Sequence, residues 1–352
     1  MARARAILQF DLDCFYAQVE MVRNRVDLDR PLAVTQKFLV VTANYPARAA
    51  GVGKLMRIDR AKEACPELML VAGEDLTPYR DASAAVFAAL SPFGPTQKLG
   101  LDEMFVDVTA AARELQHDPG VEWAEGTRVH EARHGTTSAE AQARTGTGFR
   151  PQDLRAPSTG DGANTATAAT RSCDATTSAA DENDEQAKLL RAASHVARRC
   201  KEAIRAQTGL TASVGVAPSK LLAKLCCGLH KPDGLTALPP REVLGFLAPL
   251  EVRVLPGVGG AATAALHRLG ITTVGGLRLV PPARLHQLLA ELPSAAAHKA
   301  AGVSAARLAE LACGLDAEPV VQSGPPKSLS VEDSFKGASS LEVWPLIASD
   351  CF

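Results

Sequence analysis

The chain has 352 residues, 46% of them hydrophobic, which is enough for two or three packed domains. Its formal net charge of −1 gives no overall attraction to nucleic acid, so any DNA contact has to come from a local basic face. The sequence has no apolar run near the ~18 residues of a membrane span, and Asp11 interrupts the basic start too early for a secretory signal. The eight scattered cysteines suit a reduced, intracellular protein rather than a disulfide-stapled scaffold.

The first predicted element is a buried strand that begins at Ile7 and carries two carboxylates at its end. Asp11 and Asp13 are two residues apart, so both project from one face of the strand. Buried strands rarely carry carboxylates, because an unpaired buried charge is very costly. From this stretch alone, a solvated turn that ends the strand and a cation site both stay open.

A second acidic strand is predicted from Leu99 to Asp107, where the adjacent Asp102 and Glu103 interrupt an apolar run. Two buried strands that carry carboxylates at mid-length can form one acidic cluster. Carboxylate oxygens are hard ligands that suit Mg²⁺ or Mn²⁺. Together, the two strands favour a divalent-metal site.

Between these strands, short β-type runs alternate with helical segments. Strands are predicted at 32–34, 38–42 and 68–71, and helices at 16–25, 59–65 and 79–90. Another helix opens at Pro46, with Tyr45 and Arg48 three residues apart on one face. An arginine and a tyrosine at a helix start can clamp a phosphate, but a surface arginine beside a packing tyrosine is the simpler interpretation.

From about residue 110 to 187 the composition changes to Ala, Thr, Gly, Ser and Asp, with isolated large apolar residues such as Trp123. Such a segment cannot bury enough apolar surface to offset its ordering entropy, so we predict a disordered insertion. Its histidines, His117, His130 and His134, are better explained as solvated side chains than as a metal site.

Order returns with an amphipathic helix whose apolar positions are spaced 4, 3, 4 and 4 residues apart: Leu189, Ala193, Val196, Cys200 and Ile204. A strand at 210–216 follows, and then a helix that opens at Ser219-Lys220. A lysine at a helix start just after a strand can hold a phosphate. A solvated lysine is an equally good interpretation.

A glycine-rich turn, Leu255-Pro256-Gly257-Val258-Gly259-Gly260, precedes an apolar helix with Leu266 and Leu269. Glycines let successive backbone N–H groups turn outward and bind a DNA phosphate without reading base sequence. An ordinary glycine turn is the competing interpretation. Further helices are predicted to about residue 315, and a strand at 327–335.

Five stretches, in this order, resemble the motifs of the Y-family (DinB/UmuC-type) translesion DNA polymerases. They are Phe10-Asp11-Leu12-Asp13-Cys14-Phe15-Tyr16-Ala17-Gln18-Val19-Glu20, Asn44-Tyr45-Pro46-Ala47-Arg48, Leu101-Asp102-Glu103, the run from Ser213 to Lys224, and Pro256-Gly257-Val258-Gly259. They cover the chain except for the insertion. Gln36-Lys37, Gly100 before Leu101, and Ser323-Gly324-Pro325-Pro326-Lys327 are typical of one eukaryotic branch of that family, which implies inaccurate pairing opposite template T.

The resemblance implies an α+β fold in the form of a right-hand polymerase, with a ferredoxin-like palm sheet, small fingers, a helix-hairpin-helix thumb and an incomplete little finger. We expect the palm at 1–30, 76–110 and 187–235, the fingers at 31–75, a disordered insertion at 111–186, the thumb at 236–318, and the start of a truncated little finger at 319–352.

The resemblance also implies template-directed nucleotidyl transfer with two divalent metal ions, Mg²⁺ or Mn²⁺, about 3.5–4 Å apart. Asp11, Asp102 and the backbone carbonyl of Leu12 would hold the metal on the triphosphate side. Asp11, Asp102 and Glu103 would hold the metal that activates the primer 3′-hydroxyl. Spacing alone makes Asp13 a ligand as well, but the family pattern makes it a structural acid, and we follow the family pattern.

The same motifs imply the substrate contacts. The triphosphate would bind to Tyr45, Arg48 and Lys220. The sugar would pack on Phe15 and Tyr16, and Tyr16 would exclude a 2′-hydroxyl. The nascent base pair would contact Gln36, Lys37 and Leu39. The DNA phosphates would bind to Gly257, Val258 and Gly259.

The implied partners are primer–template DNA and deoxynucleoside triphosphates, in the nucleus and with no membrane. A sliding clamp is expected for the family, but we expect its binding tail to be absent from this chain. Ser219 replaces the usual asparagine before Lys220. Two other functions stay open: an inactive DNA-binding scaffold, which missing carboxylates would have favoured, and a nucleotide cyclase with a palm-like two-metal fold.

Overall fold

The computed structural model describes residues 4–116, 121–131, 178–290 and 304–324. Its strands are β1 Ile7–Leu12, β2 Leu32–Gln36, β3 Leu39–Ala43, β4 Met69–Ala72, β5 Thr96–Leu99, β6 Glu103–Asp107, β7 Thr127–Val129, β8 Ala212–Ala217 and β9 Leu235–Ala237. Its helices are α1 Phe15–Asn24, α2 Tyr45–Ala49, α3 Ile58–Ala64, α4 Thr77–Leu90, α5 Thr109–Gln116, α6 Ser178–Thr208, α7 Lys220–Cys227, α8 Val243–Leu247, α9 Gly260–Arg268, α10 Val274–Arg278, α11 Pro282–Ala290 and α12 Ala305–Ala312.

A six-stranded sheet in the order β5-β6-β1-β8-β9-β7 forms the centre of the molecule. β1 pairs antiparallel with both β6 and β8, so its backbone is hydrogen-bonded on both edges. Leu8, Phe10 and Leu12 point into one hydrophobic cluster, and Ile7 points into another on the opposite face. Because β1 is covered on both faces, it is almost continuously apolar until its end, where Asp11 emerges.

The long helix α6 covers one face of this sheet together with α4 and α5. The five apolar positions of its predicted stripe are all at most 1% exposed, which confirms the amphipathic helix. Full burial of an Ile- or Val-sized side chain contributes about 1.5–3 kcal/mol, so this stripe fixes which face of α6 meets the sheet. On the opposite face, α7 packs against β1 and β8.

A separate three-stranded sheet, β3-β2-β4, has its own small core. Val40, Ala47 and Leu68 are among its buried residues, and all lie within the expected fingers segment. β2 and β3 are joined by a tight turn at Lys37-Phe38, where Lys37 has a φ of 54°.

The helices after β9 pack around the same cluster that Ile7 enters, which also includes Leu247, Val252, Leu266, Val274 and Leu308. The apolar helix predicted after the glycine turn is α9, and α10 follows it. None of the helices in the described ranges is both long enough and apolar enough to span a bilayer.

The prediction of a disordered insertion is wrong for part of its length. Residues 109–116 form α5, with Ala112 fully buried, and β7 adds to the main sheet by parallel pairing with β9. Ala124 is buried as well, and the ring of His130 packs edge-on against Phe246 at 4.9 Å, so this histidine is not simply solvated. Composition averaged over a long window concealed these short segments, whose order depends on partners far away in the sequence.

The last residues of the expected insertion, from Ser178, belong to α6. Residues 117–120 and 132–177, with His117 and His134, lie outside the described residues. So does the strand predicted at 327–335, and with it most of the expected little finger.

Candidate active site

The predicted acids come together at one end of the main sheet. Asp11 and Glu103 are direct partners across β1 and β6, and the backbone N–H of Leu12 donates to the carbonyl of Asp102 at 2.9 Å. The single strand predicted from Leu99 to Asp107 is instead a hairpin, with Asp102 in the turn between β5 and β6. Gly100 makes that turn with a φ of 81°, a conformation that glycine adopts without steric cost.

The surroundings of Asp11 and Asp102 disfavour their charged forms. Burial raises the pKa of Asp11 although the nearby Lys231 ammonium lowers it, and the charges of Glu103 and Asp13 add to the rise. Burial and the charge of Asp11 raise the pKa of Asp102. The cluster is therefore a place where a cation is stabilising.

Two lysine side chains supply positive charge to this cluster. The Lys231 ammonium is 2.5 Å from Oδ1 of Asp11, and the Lys224 ammonium is 2.5 Å from Oε2 of Glu103. Within the part of the chain that the structure describes, no three His, Cys, Asp or Glu side chains are arranged to hold a metal ion. Asp11 and Glu103 are each paired with a lysine instead.

Asp13 has a different environment from the other acids. Its carboxylate is 1% exposed and accepts hydrogen bonds from the Ser213 hydroxyl at 2.7 Å, the Asp233 N–H at 2.8 Å and the Thr211 hydroxyl at 3.1 Å. The Tyr45 hydroxyl lies 3.4 Å from the same carboxylate. These contacts occupy both oxygens and support the structural role over the ligand role that spacing suggested.

Tyr45 and Arg48 lie together beside this cluster, at the start of α2. The Asn44 side chain caps the helix by accepting from the Ala47 N–H, and the Arg48 guanidinium lies over the Tyr45 ring at 5.1 Å. The contact of Tyr45 with Asp13 connects the pair to the acids. Burial and the charge of Asp13 raise the pKa of Tyr45, so its hydroxyl keeps its proton.

Lys220 does not join this group. Its ammonium contacts Gln97 at 3.1 Å and Glu318 at 3.2 Å and lies over the ring of Phe105. The cation that contacts Asp11 is Lys231, which sequence reasoning did not assign to the site. The only local signal was a lysine before a proline in the loop after α7, and that signal is weak.

The aromatic pair after β1 is held firmly. Phe15 is buried, and the Tyr16 ring stacks on Tyr79 with centroids 4.0 Å apart and planes inclined by 15°. Tyr79 is fully buried and donates its hydroxyl proton to Glu20 at 3.0 Å. Burial and the charge of Asp102 raise the pKa of Tyr16, which is consistent with a position near the acids.

The residues predicted to cover the base pair lie around the β2–β3 turn. The Gln36 amide donates to the carbonyl of Gly73 at 2.8 Å, and the Lys37 N–H donates to Glu74 at 2.9 Å. Leu39 is half-buried. Gln36 is thus anchored to the fingers sheet, while Lys37 stays exposed.

The predicted phosphate-binding turn precedes the first residue of α9. Gly257 and Gly259 are exposed, whereas the Val258 side chain is buried in the core of the neighbouring helices. The valine anchors the turn and leaves the glycine backbone on the surface.

Comparisons with known proteins agree with this arrangement. A profile of the impB/mucB/samB family matches residues 10–228. DNA polymerase iota of Homo sapiens is 37% identical, over an alignment covering 96% of this chain and 39% of that protein. DNA polymerase iota of Drosophila melanogaster is 33% identical, covering 96% and 39%. DNA polymerase IV of Ralstonia nicotianae is 30% identical, covering 94% of this chain and 70% of that protein.

Two solved structures share the fold. A ternary complex of Dbh with partially disordered substrates matches with a TM-score of 0.58 at 23% identity, covering 90% of this chain and 69% of that chain. A Y-family DNA polymerase chimera of Dbh and Dpo4 matches with a TM-score of 0.60 at 23% identity, covering 91% and 70%. The predicted α+β right-hand architecture is confirmed.

The chain therefore belongs to the impB/mucB/samB family, the Y-family of DNA polymerases. Within that family it is similar to DNA polymerase iota, the branch that Gln36-Lys37 and Gly100 indicated. It spans about two-fifths of the length of these iota relatives.

Proposed function

We propose that this chain adds deoxynucleotides to a primer 3′ end under the direction of a template, in error-prone bypass of damaged DNA. The observation that carries the proposal is the group of carboxylates at one end of the β1–β6 pair, in a chain of the Y-family. Asp11 faces Glu103 across the two strands, and Asp102 is hydrogen-bonded through its backbone beside them. Carboxylates gathered in a partly buried site need cations, and nucleotidyl transfer uses divalent ones.

The donor set fits Mg²⁺ or Mn²⁺. The three carboxylates and the backbone carbonyl of Leu12 offer only oxygen atoms, and two lysine side chains already lie against the cluster as cations. Asp11, Asp102 and Leu12 would hold the metal on the triphosphate side, and Asp11, Asp102 and Glu103 the metal on the primer side. Two such ions supply charge neutralisation at the transferring phosphoryl group and activation of the 3′-hydroxyl.

The triphosphate binds to the cationic side chains that border the acids. Arg48 and Tyr45 offer charge-assisted and neutral hydrogen bonds from α2. Lys231 takes the place first assigned to Lys220, because its ammonium already lies at Asp11, where the phosphate oxygens have to approach.

The sugar packs on Phe15 and Tyr16, and the Tyr16 ring, which stacks on Tyr79, excludes a 2′-hydroxyl. Gln36, Lys37 and Leu39 cover the nascent base pair from the β2–β3 hairpin. The exposed turn at 257–259 binds DNA phosphates through its backbone.

We assign the palm, fingers and thumb of this polymerase to the segments expected from the sequence. The exception is the insertion, parts of which are ordered. The substrates are primer–template DNA and deoxynucleoside triphosphates. A nuclear location belongs to the same proposal.

The test is extension of a labelled primer on a template by the full chain, with Mg²⁺, with Mn²⁺ and with EDTA. Extension that needs the metal, and that Asp102→Asn abolishes without weakening DNA binding, is the expected result. DNA binding without extension under either metal would favour the scaffold, and turnover of nucleoside triphosphate without a primer would favour the cyclase.

A further inference from the structure

The loop from His230 to Gly234, between α7 and β9, contacts the acid cluster at two points. The Lys231 ammonium lies 2.5 Å from Asp11, and the backbone N–H of Asp233 donates to Asp13 at 2.8 Å. The conformation of this loop therefore sets the position of a cation at Asp11 and of one donor to the buried Asp13.

The loop is tightly wound. Asp233 has a φ of 54°, in the left-handed region that aspartate tolerates better than most residues but still at a cost. A Cβ atom on Gly234 would lie 2.1 Å from the carbonyl oxygen of His230, so only glycine fits there. Backbone conformations of this kind persist where the surrounding structure holds them in place.

Two cations on α6 hold the loop from behind. The Lys201 ammonium is 3.0 Å from Oδ1 of Asp233 and also donates to the Asp233 backbone carbonyl, while Arg205 is 2.7 Å from Oδ2. Lys201 and Arg205 are four residues apart and so share one face of the helix. The Lys201 side chain is only 16% exposed, against 60% for Arg205, so solvent screens the lysine contact less.

A cleft of about 350 Å³ borders the same loop and is lined by both cations. The side of the loop that faces the two cations is therefore open to this cleft rather than packed against apolar side chains.

We propose that Lys201, assisted by Arg205, is a positioning residue for the nucleotide. By fixing Asp233 it keeps Lys231 against the acid cluster, where the triphosphate binds. The inference deepens the proposed function and rests on it, since Lys231 matters here as a triphosphate ligand.

The test uses the full chain with Lys201→Met, which keeps the aliphatic stem and removes the charge. Lys201→Arg restores a cation at the same place. Arg198→Met is the matched control, because Arg198 lies one turn earlier on α6 and pairs with Glu125 and Glu202 rather than with the loop. Single-nucleotide insertion on a primed template gives kcat and the KM for the deoxynucleotide separately.

Lys201→Met should raise the KM for the nucleotide by about 10-fold, the lower end of the loss seen when residues that orient metal ligands are replaced. The value of kcat should fall by less, Lys201→Arg should recover most of the loss, and Arg198→Met should match the wild type. An unchanged KM in Lys201→Met, with only a lower melting temperature or a smaller active fraction, would show a purely structural contact and overturn the inference.

Two further measurements keep the result interpretable. Asp233→Asn retains the N–H and the tolerance of a left-handed φ but removes the charge that both cations use, so it should also raise KM if Lys201→Met does not fold. Binding of a deoxynucleoside triphosphate in Ca²⁺, with a dideoxy-terminated primer–template, needs no turnover. If the wild type does not extend primers, the proposed function fails, and equal triphosphate binding by wild type and Lys201→Met would refute the inference by itself.

Discussion

Replacement of Asp13 by alanine distinguishes a structural acid from a metal ligand. The buried carboxylate accepts three hydrogen bonds of 3.1 Å or less, from Ser213, Thr211 and the backbone of Asp233. Asp13→Ala removes all three and leaves a buried N–H without its acceptor. The variant should therefore lose stability even when no metal is present.

The size of the loss follows from these contacts. A hydrogen bond to a charged group contributes about 1.5–3 kcal/mol, so three of them amount to roughly 4.5–9 kcal/mol before any compensation. Removing the carboxylate also removes the cost of burying it, and the two hydroxyls can find other partners. We expect a net loss of about 3–5 kcal/mol, a large part of the 5–15 kcal/mol of a typical domain.

The assay is urea unfolding in EDTA, followed by circular dichroism, with two matched aspartates. Asp102→Ala should be neutral or stabilising, because burial and the charge of Asp11 already disfavour the Asp102 carboxylate and raise its pKa. The exposed Asp29, replaced by alanine, should stay within about 0.5 kcal/mol of the wild type. If Asp13→Ala is as stable as the wild type but cannot extend a primer, Asp13 is a ligand and our interpretation is wrong.

Three further predictions concern the sugar, the template and the ordered part of the insertion. Tyr16→Ala should raise the ratio of ribonucleotide to deoxyribonucleotide incorporation. Tyr16→Phe should leave the ratio unchanged, because the ring and not the hydroxyl forms the stack on Tyr79. Equal ratios in the wild type and both variants would show that Tyr16 does not exclude ribonucleotides. Insertion opposite each of the four template bases should be least accurate opposite T, and uniform accuracy would place the chain with another branch. Ala124→Glu should destabilise the protein by about 2 kcal/mol or more, because it buries a carboxylate, whereas replacing the exposed Glu125 by alanine should not. Tolerance of Ala124→Glu would contradict the burial of this segment.

Local patterns predicted the elements whose partners lie close in sequence or whose apolar repeat extends over many residues. The stripe on α6 repeats over four turns, and Pro46 marks the start of its own helix, so both were readable from the chain alone. β7 has three residues, and its only sequence signal is a β-branched residue on either side of Arg128. Its order comes from β9, more than one hundred residues later, which no local window includes.

The two lysines Lys220 and Lys231 show the same limit within the candidate site. A lysine at a helix start after a strand was the better local candidate, because a helix N-terminus attracts phosphate. However, β8 runs antiparallel to β1: Ser213 pairs with Asp11 and Ala217 with Ile7. The end of β8 therefore lies about 14 Å along the sheet from the acids, at roughly 3.4 Å per residue, and Lys220 begins α7 at that far end.

The chain returns towards the acids along α7. Lys224, one turn into the helix, reaches Glu103, and Lys231, in the loop beyond it, reaches Asp11. The positive end of the helix dipole thus points away from the carboxylates, and the side chains that follow the helix bring charge to them. Which lysine serves the site depends on the direction of β8 relative to β1, a long-range pairing that residue spacing cannot supply.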